Sequence, residues 1–598
     1  MSSEAISASH IGYLCRSSKQ AIVRHPQSTR FEVQNMALFA EARTTNASEN
    51  FRGIMTGEIQ RIQTDMGEFG ICDFSAIRTP GVYRVVCLES GACTYQFNIS
   101  DGAYHRLLDL FLDFIHSWRA GDTSNPLRRA STRDDGVRDD THAQWHVQGG
   151  WYDAGDLRQW MVHSNLVMLG MLDIHERLAL TRHAFPSAPA FPSDWLSEVA
   201  WGVSFICDMQ DPETGMFFED VGGGTERTAT EGIQWWYENH AGCTANNSDN
   251  RFTDNLTGTG DERRIRSHYN PIVQYTNLAI LARAYSALVP CDPISAQRAR
   301  HSLWAGWRHV EEGRGEAGEG RDWTSVRSWR LGAMLELWRA GLIVAPPAIE
   351  SAVDDLLANY DSALGWWRNA QSSSEPYRGI LHSAQPLIVL SRYLELAATP
   401  DSPRLAQVRS LLEQTLERYI LPMSQTNPFG FMPFGLFHYQ QSTQDHYRPW
   451  NDALSYRFCM LVHHPQQVNH GLSGHWMSWA HGLASLAQVL NSALCRRLAW
   501  AQIEWLTGNN HRDVSFISGI GYHNPMPHSR YFGTAVGGFM NGFRGTAEDL
   551  PFVDLERNAE WNSTEYWNTP LSNSLMALAR LLPSTVAEVH KLGANSPA

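Results

Sequence analysis

The sequence predicts a multidomain protein, in which a small β-sandwich is followed by a large all-helical domain. The first observation is length, because 598 residues exceed what one ordinary hydrophobic core organises. The second is a series of short alternating or β-branched runs within residues 1–100. The third is helical periodicity, which begins near residue 101. We therefore predict domains at 1–100 and 101–598.

The candidate strands of domain 1–100 are short and are separated by turn residues. Their spacing is typical of an antiparallel β-sandwich. The predicted strands run over Gln20 to Arg24, Phe31 to Gln34, Gly70 to Phe74, Val82 to Val86 and Tyr95 to Ile99.

Domain 101–598 opens with an amphipathic helix. Apolar residues from Tyr104 to Trp118 recur at helical spacing, with Asp109 and Asp113 between them. Similar patterns follow along the chain, separated by long loops rich in Gly, Asn and aromatic residues. Many amphipathic helices with little strand signal indicate a toroid of helix pairs, whose long loops at one end build a cleft.

Composition excludes several classes of protein. Apolar residues make up 43% of the chain and charged residues 18%, which is typical of a well-packed globular protein rather than a disordered one. The formal net charge of -14 argues against nucleic acid as a partner, because neutralising phosphates needs clustered Lys and Arg.

The start of the chain and the cysteines bear on cellular location and metals. The segment MSSEAISASHIGYL lacks the basic and apolar regions of a secretory signal, and no apolar stretch approaches the ~18 residues of a membrane span. We therefore predict a cytoplasmic protein without a membrane partner. Nine cysteines without any CxxC pair indicate reduced thiols, so we predict no metal and no cofactor. The sequence leaves the oligomeric state open.

The segment HVQGGWYDAGDLRQW, residues 146–160, carries the strongest chemical signal. Asp153 and Asp156 stand three residues apart, so both carboxylates can face one point from a single turn. Inverting hydrolysis of a glycosidic bond needs one carboxylate that takes a proton from water and a distant carboxylic acid that protonates the leaving oxygen. Taken alone, the two aspartates could equally cap a helix.

GGWYDAGD closely resembles the first signature of glycoside hydrolase family 9, the inverting family best known for cellulases. The segments HIGYLCRSSKQAIV and DFSAIRTPGVYRVV resemble the immunoglobulin-like module that precedes many members. The resemblance implies a β-sandwich of this type before a twelve-helix (α/α)6 barrel. It also implies that Asp156 is the general base and Asp153 its helper.

The segment AQIEWLTGNNHRDVSFISGIGYHNPMPHSR, residues 501–530, resembles the family's cleft-lining segment. By this resemblance His528 and Arg530 bind substrate hydroxyls near the scissile bond. The distance from Gly521 to His528 departs from the family, and His523 stands near a usual Asn. A surface pair without a role is the alternative.

The segment VDLERNAEWNSTEYWNTP, residues 553–570, resembles the one that contains the family's proton donor, which implies that Glu565 is the general acid. Asn568 follows it sooner than in the family, and Trp567 replaces a small residue. We expect desolvation by Tyr566 and Trp567 to raise the pKa of the acid. The competing candidates are Glu556 and Glu560.

Sugar rings stack on aromatic side chains, so a saccharide cleft should be lined by loop Trp and Tyr. Core packing is the alternative for each. The candidates are Trp151, Tyr152, Trp235, Trp236, Tyr237, Trp366 and Trp367.

The substrate predicted from the sequence is a small oligosaccharide. The chain resembles the intracellular exo-β-D-glucosaminidases of marine bacteria within the family, which implies action on glucosamine oligosaccharides from chitosan or chitin. The amine at the 2-position would need a carboxylate, for which Glu238 in WWYENH is the first candidate and Asp139 and Asp140 are weaker ones. Glu238 could also be simply solvated.

Two other functions stay open. The first is an endoglucanase, cellulase or β-glucosidase that acts on cello-oligosaccharides. The second and more remote one is an inactive saccharide-binding protein, against which the complete set of Asp153, Asp156 and Glu565 argues.

Overall fold

The computed structural model describes most of the 598-residue chain. Among the described residues, no helix combines the length and the apolar character needed to cross a membrane. The described ranges are 3–44, 53–122, 133, 136–184, 195–222, 253–267, 269–311, 320–342, 346–396, 402–438, 444–463, 468–528, 534–556 and 560–583.

The first hundred residues form two β-sheets that share one hydrophobic core, which confirms the strand-rich part of the prediction. One sheet has the order β1 (Ala5–Ser7), β3 (Gln20–Arg24), β7 (Gly67–Asp73) and β6 (Gln60–Thr64). The other has the order β2 (Gly12–Tyr13), β9 (Phe97–Ile99), β8 (Gly81–Cys87), β4 (Arg30–Asn35) and β5 (Met55–Glu58), and a short helix α1 (Met36–Thr44) follows β4.

Strand β8 shows why these residues form a two-sided sheet. Tyr83, Val85 and Cys87 are buried, while the residues between them are more exposed. This period of two directs every second side chain into the core that both sheets share. Pairing is antiparallel throughout except between β2 and β9.

In the described part of the chain, six helices form a closed inner ring, in which each helix packs against the next and the last packs against the first. This ring confirms the prediction of a helical barrel. Its members are α3 (Met161–Ala184), α5 (Pro271–Leu288), α7 (Thr324–Arg339), α9 (Gln385–Leu396), α12 (Ser473–Val489) and α15 (Asn568–Leu581).

An outer layer of helices packs against this ring. Helix α12 is buried on all sides from Ser473 to Ala487, whereas outer helix α6 buries a single stripe. The difference follows from position, because an inner helix has neighbours on every side and an outer helix has solvent on one. The outer helices are α2 (His105–Ser117), α4 (Trp195–Asp208), α6 (Pro293–Glu311), α8 (Pro346–Leu357), α10 (Pro403–Thr415) and α13 (Ala493–Leu506).

The connections of the barrel contain more short strands than the sequence predicted. Strands of two to four residues do not present a periodic run, which is why they were not predicted. A five-stranded sheet has the order β11 (Gln144–Trp145), β10 (Gly136–Arg138), β14 (Arg263–Arg266), β13 (Asp220–Gly222) and β12 (Gln159–Trp160). Smaller sheets join β15 (Tyr360–Asp361) to β16 (Trp366–Trp367), β17 (Gly435–His438) to β19 (Leu454–Arg457) and β18 (Arg448–Pro449), and β20 (Arg544–Gly545) to β21 (Pro551–Phe552).

Three short helical segments complete the barrel. They are a π-helical turn at Leu416–Ile420 with α11 (Leu421–Ser424) directly after it, and α14 (Trp561–Thr564).

The two-sheet module contacts the barrel through polar and aromatic pairs. The ring of His10 lies 3.0 Å from Oδ1 of Asp513, and its backbone N–H donates to the carbonyl of Thr507. Tyr95 stacks on Tyr522 with ring centroids 4.6 Å apart. These contacts hold the module against the side of the barrel.

Candidate active site

The base turn, residues 151–160, directly precedes inner helix α3. Nine of its ten residues are buried, and Asp156 is the half-buried exception. The backbone N–H of Asp153 donates to the carbonyl of Arg158 (3.0 Å), and that of Arg158 donates to Oδ1 of Asp156 (3.1 Å). Both predicted aspartates therefore project from one closed turn, and only Asp156 reaches solvent to a substantial degree.

A glycine positions the approach to this turn. Gly149 has a φ of 89°, and a Cβ at this residue would lie 2.7 Å from the carbonyl oxygen of Trp201 on α4. Only glycine accepts both conditions without strain. The indole N–H of Trp118 then donates to the carbonyl of Ala154 (2.8 Å), which ties the turn to the end of α2.

Buried ionic groups hold the base turn from behind. The guanidinium of Arg158 pairs with Asp220 on β13 and lies 4.3 Å from the ring centroid of Trp160. Asp220 also lies 3.5 Å from the guanidinium of Arg266. Burial, together with the negative charge of Asp220, raises the pKa of neighbouring Glu219 above its usual value. Asp220 is thus the carboxylate that pairs with both arginines.

A second buried carboxylate holds the start of the base turn. Glu198 is 1% exposed and accepts the indole N–H of Trp151 at 3.3 Å. It also lies 2.7 Å from a ring nitrogen of His116 and accepts the Nε–H of Arg119 at 3.0 Å. The carboxylate of Glu198 on α4 therefore connects α2 to the base turn.

The acid segment, residues 560–568, leads into inner helix α15, whose first residue is Asn568. Its neighbours contact it through the backbone: the N–H of Asn541 donates to the carbonyl of Glu565 (2.9 Å), and that of His528 to the carbonyl of Thr564 (3.0 Å). Glu565 is half-buried between buried Thr564 and buried Tyr566. Glu565 is thus partly open to solvent, as Asp156 is in the base turn.

Neighbouring side chains enclose the acid segment from below. The hydroxyl of Tyr566 lies 2.9 Å from that of Ser518, and its ring packs edge-on against Phe114. The ring of Trp567 packs edge-on against His470 at 5.0 Å. Both aromatic residues are buried, and they form part of the barrel wall beneath Glu565.

The base turn and the acid segment touch each other. A Cβ on Gly155 would lie 3.1 Å from Oε1 of Glu565 and 3.1 Å from the carbonyl oxygen of His528. Gly155 stands directly before Asp156 in the chain, so the carboxyl of Glu565 lies against the turn that carries both aspartates. A side chain at the third position of DAGD would therefore crowd the carboxyl of Glu565 and the carbonyl of His528.

Asn568 ties the same two segments together. Its backbone N–H donates to the carbonyl of Asp153 (3.0 Å), and its side-chain Nδ2 donates to the carbonyl of Tyr152 (2.5 Å). Sequence reasoning did not assign a role to Asn568 or to Asp220. Their partners lie 416 and 62 residues away, so no local pattern could have shown these roles.

The structure corrects the prediction that Trp366 stacks on substrate. Trp366 is 1% exposed, its ring stacks on Tyr419 at 4.4 Å and on Trp479 at 5.1 Å, and its indole N–H donates to the carbonyl of Tyr377. Neighbouring Trp367 is also fully buried. These rings belong to the core, because the short strand β16 faces inward.

Trp151 and Tyr152 are also buried, at 0% and 2% exposure. Their predicted stacking on a sugar is therefore replaced by a role in holding the base turn. His528 is half-buried, and it forms a parallel backbone bridge with Glu565. The remaining predicted binding residues lie outside the described residues, and they are Trp235, Trp236, Tyr237, Glu238 and Arg530.

The competing carboxylates are placed differently from Glu565. Glu560 accepts two hydrogen bonds from the guanidinium of Arg544, at 3.0 and 3.1 Å, which suits an anion rather than a proton donor. Glu556 is exposed on the surface. Among the described residues, no group of three or more His, Cys, Asp or Glu is arranged to hold a metal ion.

Comparison with known proteins agrees with this architecture. No curated protein sequence matches the chain. A thermostable endoglucanase from Alicyclobacillus acidocaldarius has a similar structure, with a TM-score of 0.64, 17% identity, and coverage of 97% of this chain and 99% of that one. A metagenome-derived glycoside hydrolase family 9 endoglucanase has a TM-score of 0.66 at 16% identity, and a Bacteroides ovatus family 9 structure has 0.65 at 15%, both with coverage of 97% and 99%.

At these identities the structures establish the fold. The sequence itself carries the family assignment. The model of glycosyl hydrolase family 9 matches residues 104–538, which is more than half of the chain, and the chain therefore belongs to this family of glycoside hydrolases.

Proposed function

We propose that this glycoside hydrolase cleaves β-1,4 glycosidic bonds with inversion, with Asp156 as general base, Asp153 as its helper and Glu565 as general acid. One observation carries the proposal: the carboxyl of Glu565 lies against Gly155, between the two aspartates in the chain. The carboxyl of the proposed acid thus lies against the turn that carries the proposed base, and Asp156 and Glu565 are both half-buried.

Each carboxyl group has a distinct task in this mechanism. Asp156 takes a proton from a water molecule, whose oxygen bonds to the anomeric carbon as the glycosidic C–O bond breaks. Glu565 gives its proton to the leaving oxygen on the opposite face of the sugar. Asp153 is only 7% exposed, so its role is to orient the water and the turn. Inverting enzymes keep base and acid about 6.5–9.5 Å apart, which leaves room for that water.

His528 is proposed to bind a substrate hydroxyl next to the scissile bond. The backbone of His528 forms a parallel bridge with Glu565, so the two residues are neighbours in space. Arg530 follows two residues later and is proposed as its partner.

Two substrate classes are proposed for the same chemistry. Glucosamine oligosaccharides follow from the resemblance to exo-β-D-glucosaminidases, and cello-oligosaccharides are supported by the endoglucanases of similar structure. Of the weaker carboxylates proposed for the amine, Asp140 pairs with Arg138 and Asp139 accepts two hydrogen bonds from Ser267. Because both carboxylates already have partners within the protein, specificity for glucosamine would depend on Glu238.

We also propose that the two-sheet module belongs to the immunoglobulin-like type. Its two sheets share one core, and its sequence resembles the module that precedes many family members.

The deciding experiment is hydrolysis of the β-1,4 disaccharides of glucosamine and of glucose, side by side, by the wild-type protein and by Glu565→Gln. Proton NMR of the first product tests inversion, because the α-anomer must appear first. Preference for glucosamine that is lost in the variant would support the glucosaminidase, and preference for glucose would support the cello-oligosaccharide enzyme. First appearance of the β-anomer would contradict the mechanism.

A further inference from the structure

A cavity of about 710 Å³ lies between the two-sheet module and the barrel, away from the catalytic carboxylates. One wall comes from the module and includes Gln20 and Ile62, and the other comes from the barrel and includes Phe429 and Trp500. Asp153, Asp156 and Glu565 do not line it. Its volume falls within the roughly 300–1,000 Å³ of small-molecule sites.

The uncharged part of the lining suits a hydroxylated ligand. Isoleucine and aromatic side chains supply apolar patches, which match the C–H faces of a sugar ring. Amide side chains donate and accept hydrogen bonds at once, as a sugar hydroxyl does. The amides include Gln20, Gln63, Gln425 and Asn491.

The charged part of the lining is cationic, although the whole chain carries a net charge of -14. Arg16 and Arg497 line the cavity, and neither forms an ion pair with another described residue. Arg496 and Arg580 also line the cavity, and Arg580 pairs with Asp173. Guanidinium groups bind carboxylates and phosphates through paired hydrogen bonds.

The two acids in the wall offset only part of the charge of these arginines. Asp101 supplies one carboxylate, which accepts the backbone N–H of Cys15 at 3.1 Å. Burial raises the pKa of Glu504 to about 8, so this carboxyl is uncharged at neutral pH and can itself donate a hydrogen bond. The cavity therefore has a positive potential and a neutral acid on one side.

We propose that this cavity binds an anionic, hydroxylated small molecule of the sugar acid or sugar phosphate class, whose acidic group contacts Arg16 and Arg497. Because its walls belong to the module and to the barrel, the bound ligand links the two and stabilises the folded protein. The proposal rests on the cavity and is independent of the catalytic assignment.

The test is calorimetric titration of the full chain with glucose 6-phosphate, glucuronate, glucose and inorganic phosphate. At least one of the two sugar anions should bind with a measurable heat and raise the melting temperature, and the tighter one identifies the acidic group. Glu565→Gln should bind the anion as the wild type does while its hydrolysis is lost, which separates this site from the proposed active site.

The double variant Arg16→Gln, Arg497→Gln should bind the sugar anion at least tenfold more weakly. The matched control is Arg308→Gln, because Arg308 is an exposed arginine of α6 that does not line the cavity. Ala493→Trp provides a second route: Ala493 is exposed at the cavity wall, so a large ring there should block entry without changing a charge.

Three results would overturn the proposal. These are absence of saturable binding of both sugar anions in the millimolar range, binding of glucose or inorganic phosphate as tight as that of the sugar anions, and unchanged affinity in both the arginine variant and Ala493→Trp. A crystal structure with the bound anion outside this cavity would do the same.

Discussion

The base turn and the acid segment present similar carboxyl groups but are held by different interactions. The base turn is supported by buried charged side chains that are distant from it in sequence. An example is Asp220, which pairs with Arg158. The acid segment accepts backbone hydrogen bonds from its neighbours, as in the bond from Asn541 N–H to the carbonyl of Glu565, and its ion pair between Glu560 and Arg544 is partly exposed. We therefore expect the position of Asp156 to depend on charged residues that are distant in sequence. The position of Glu565 should depend on the backbone of the neighbouring segments.

The difference has a physical reason. The base turn also bonds to its neighbours through its backbone: the N–H of Asn568 donates to the carbonyl of Asp153, and Gln159–Trp160 pairs with β13. In addition, its buried charges must be paired, because an uncompensated buried charge is strongly destabilising. The ion pair of the acid segment, between Glu560 and Arg544, is partly exposed and is less subject to this constraint.

Asp156→Asn should have the largest effect on activity. The amide keeps the oxygen that accepts the N–H of Arg158 but cannot take a proton from water. We expect kcat to fall by roughly 10³–10⁴ on every substrate, since general-base catalysis is worth up to about that factor. Steady-state kinetics measure it, with Asp140→Asn as the surface control, and a retained kcat would remove Asp156 from the mechanism.

Glu565→Gln should distinguish the role of the general acid from that of the general base. We expect kcat on a disaccharide to fall by roughly 10²–10⁴, because the leaving oxygen needs a proton. A glycosyl fluoride should lose far less, because fluoride leaves without general acid help, whereas Asp156→Asn should lose both activities. Equal losses on the two substrates in Glu565→Gln would contradict its assignment as acid.

The sequence allowed the fold to be predicted where local patterns are strong. Gln20–Arg24 is a strand with three buried residues at its centre, and its prediction matches the structure. Gln60–Thr64 was not predicted as a strand, because none of its residues is buried and it shows no apolar alternation. The helix Met36–Thr44 was also missed.

The site shows the same limit. Asp153 and Asp156 could be placed together because one short turn carries both, and the family resemblance added Glu565. Trp366 was assigned to the cleft incorrectly, because a tryptophan between turns looks the same in sequence whether its strand faces the cleft or the core. Asn568 could not be assigned, because its partner Tyr152 is 416 residues away.

Asp220→Asn should test how the base turn is held. Removing this charge breaks the buried ion pair between Asp220 and Arg158, and breaking a buried pair costs about 3–5 kcal/mol. Urea denaturation measures the loss. Asp140→Asn, which removes a 39% exposed carboxylate from its pair with Arg138, should cost no more than about 1 kcal/mol. Similar losses in the two variants would mean that the buried pair does not support the turn.

Asn568→Ala should have the smallest effect, and it tests the point where the two segments meet. The variant loses the hydrogen bond to the carbonyl of Tyr152 but keeps the backbone bond to Asp153. We expect a loss of about 1–3 kcal/mol in stability, since a buried acceptor is left without a donor. We also expect kcat to fall about tenfold for the roughly 1.4 kcal/mol that a misplaced acid and base would cost, with KM little changed.

The matched control is Asn573→Ala, because Asn573 is equally buried on α15 but lies one and a half turns further along the helix. If Asn568 positions the acid against the base, only Asn568→Ala should lower kcat, and its loss should be smaller on the glycosyl fluoride than on the disaccharide. If both variants lose stability and activity in parallel, Asn568 supports the fold of α15 and not the distance between the catalytic carboxyl groups.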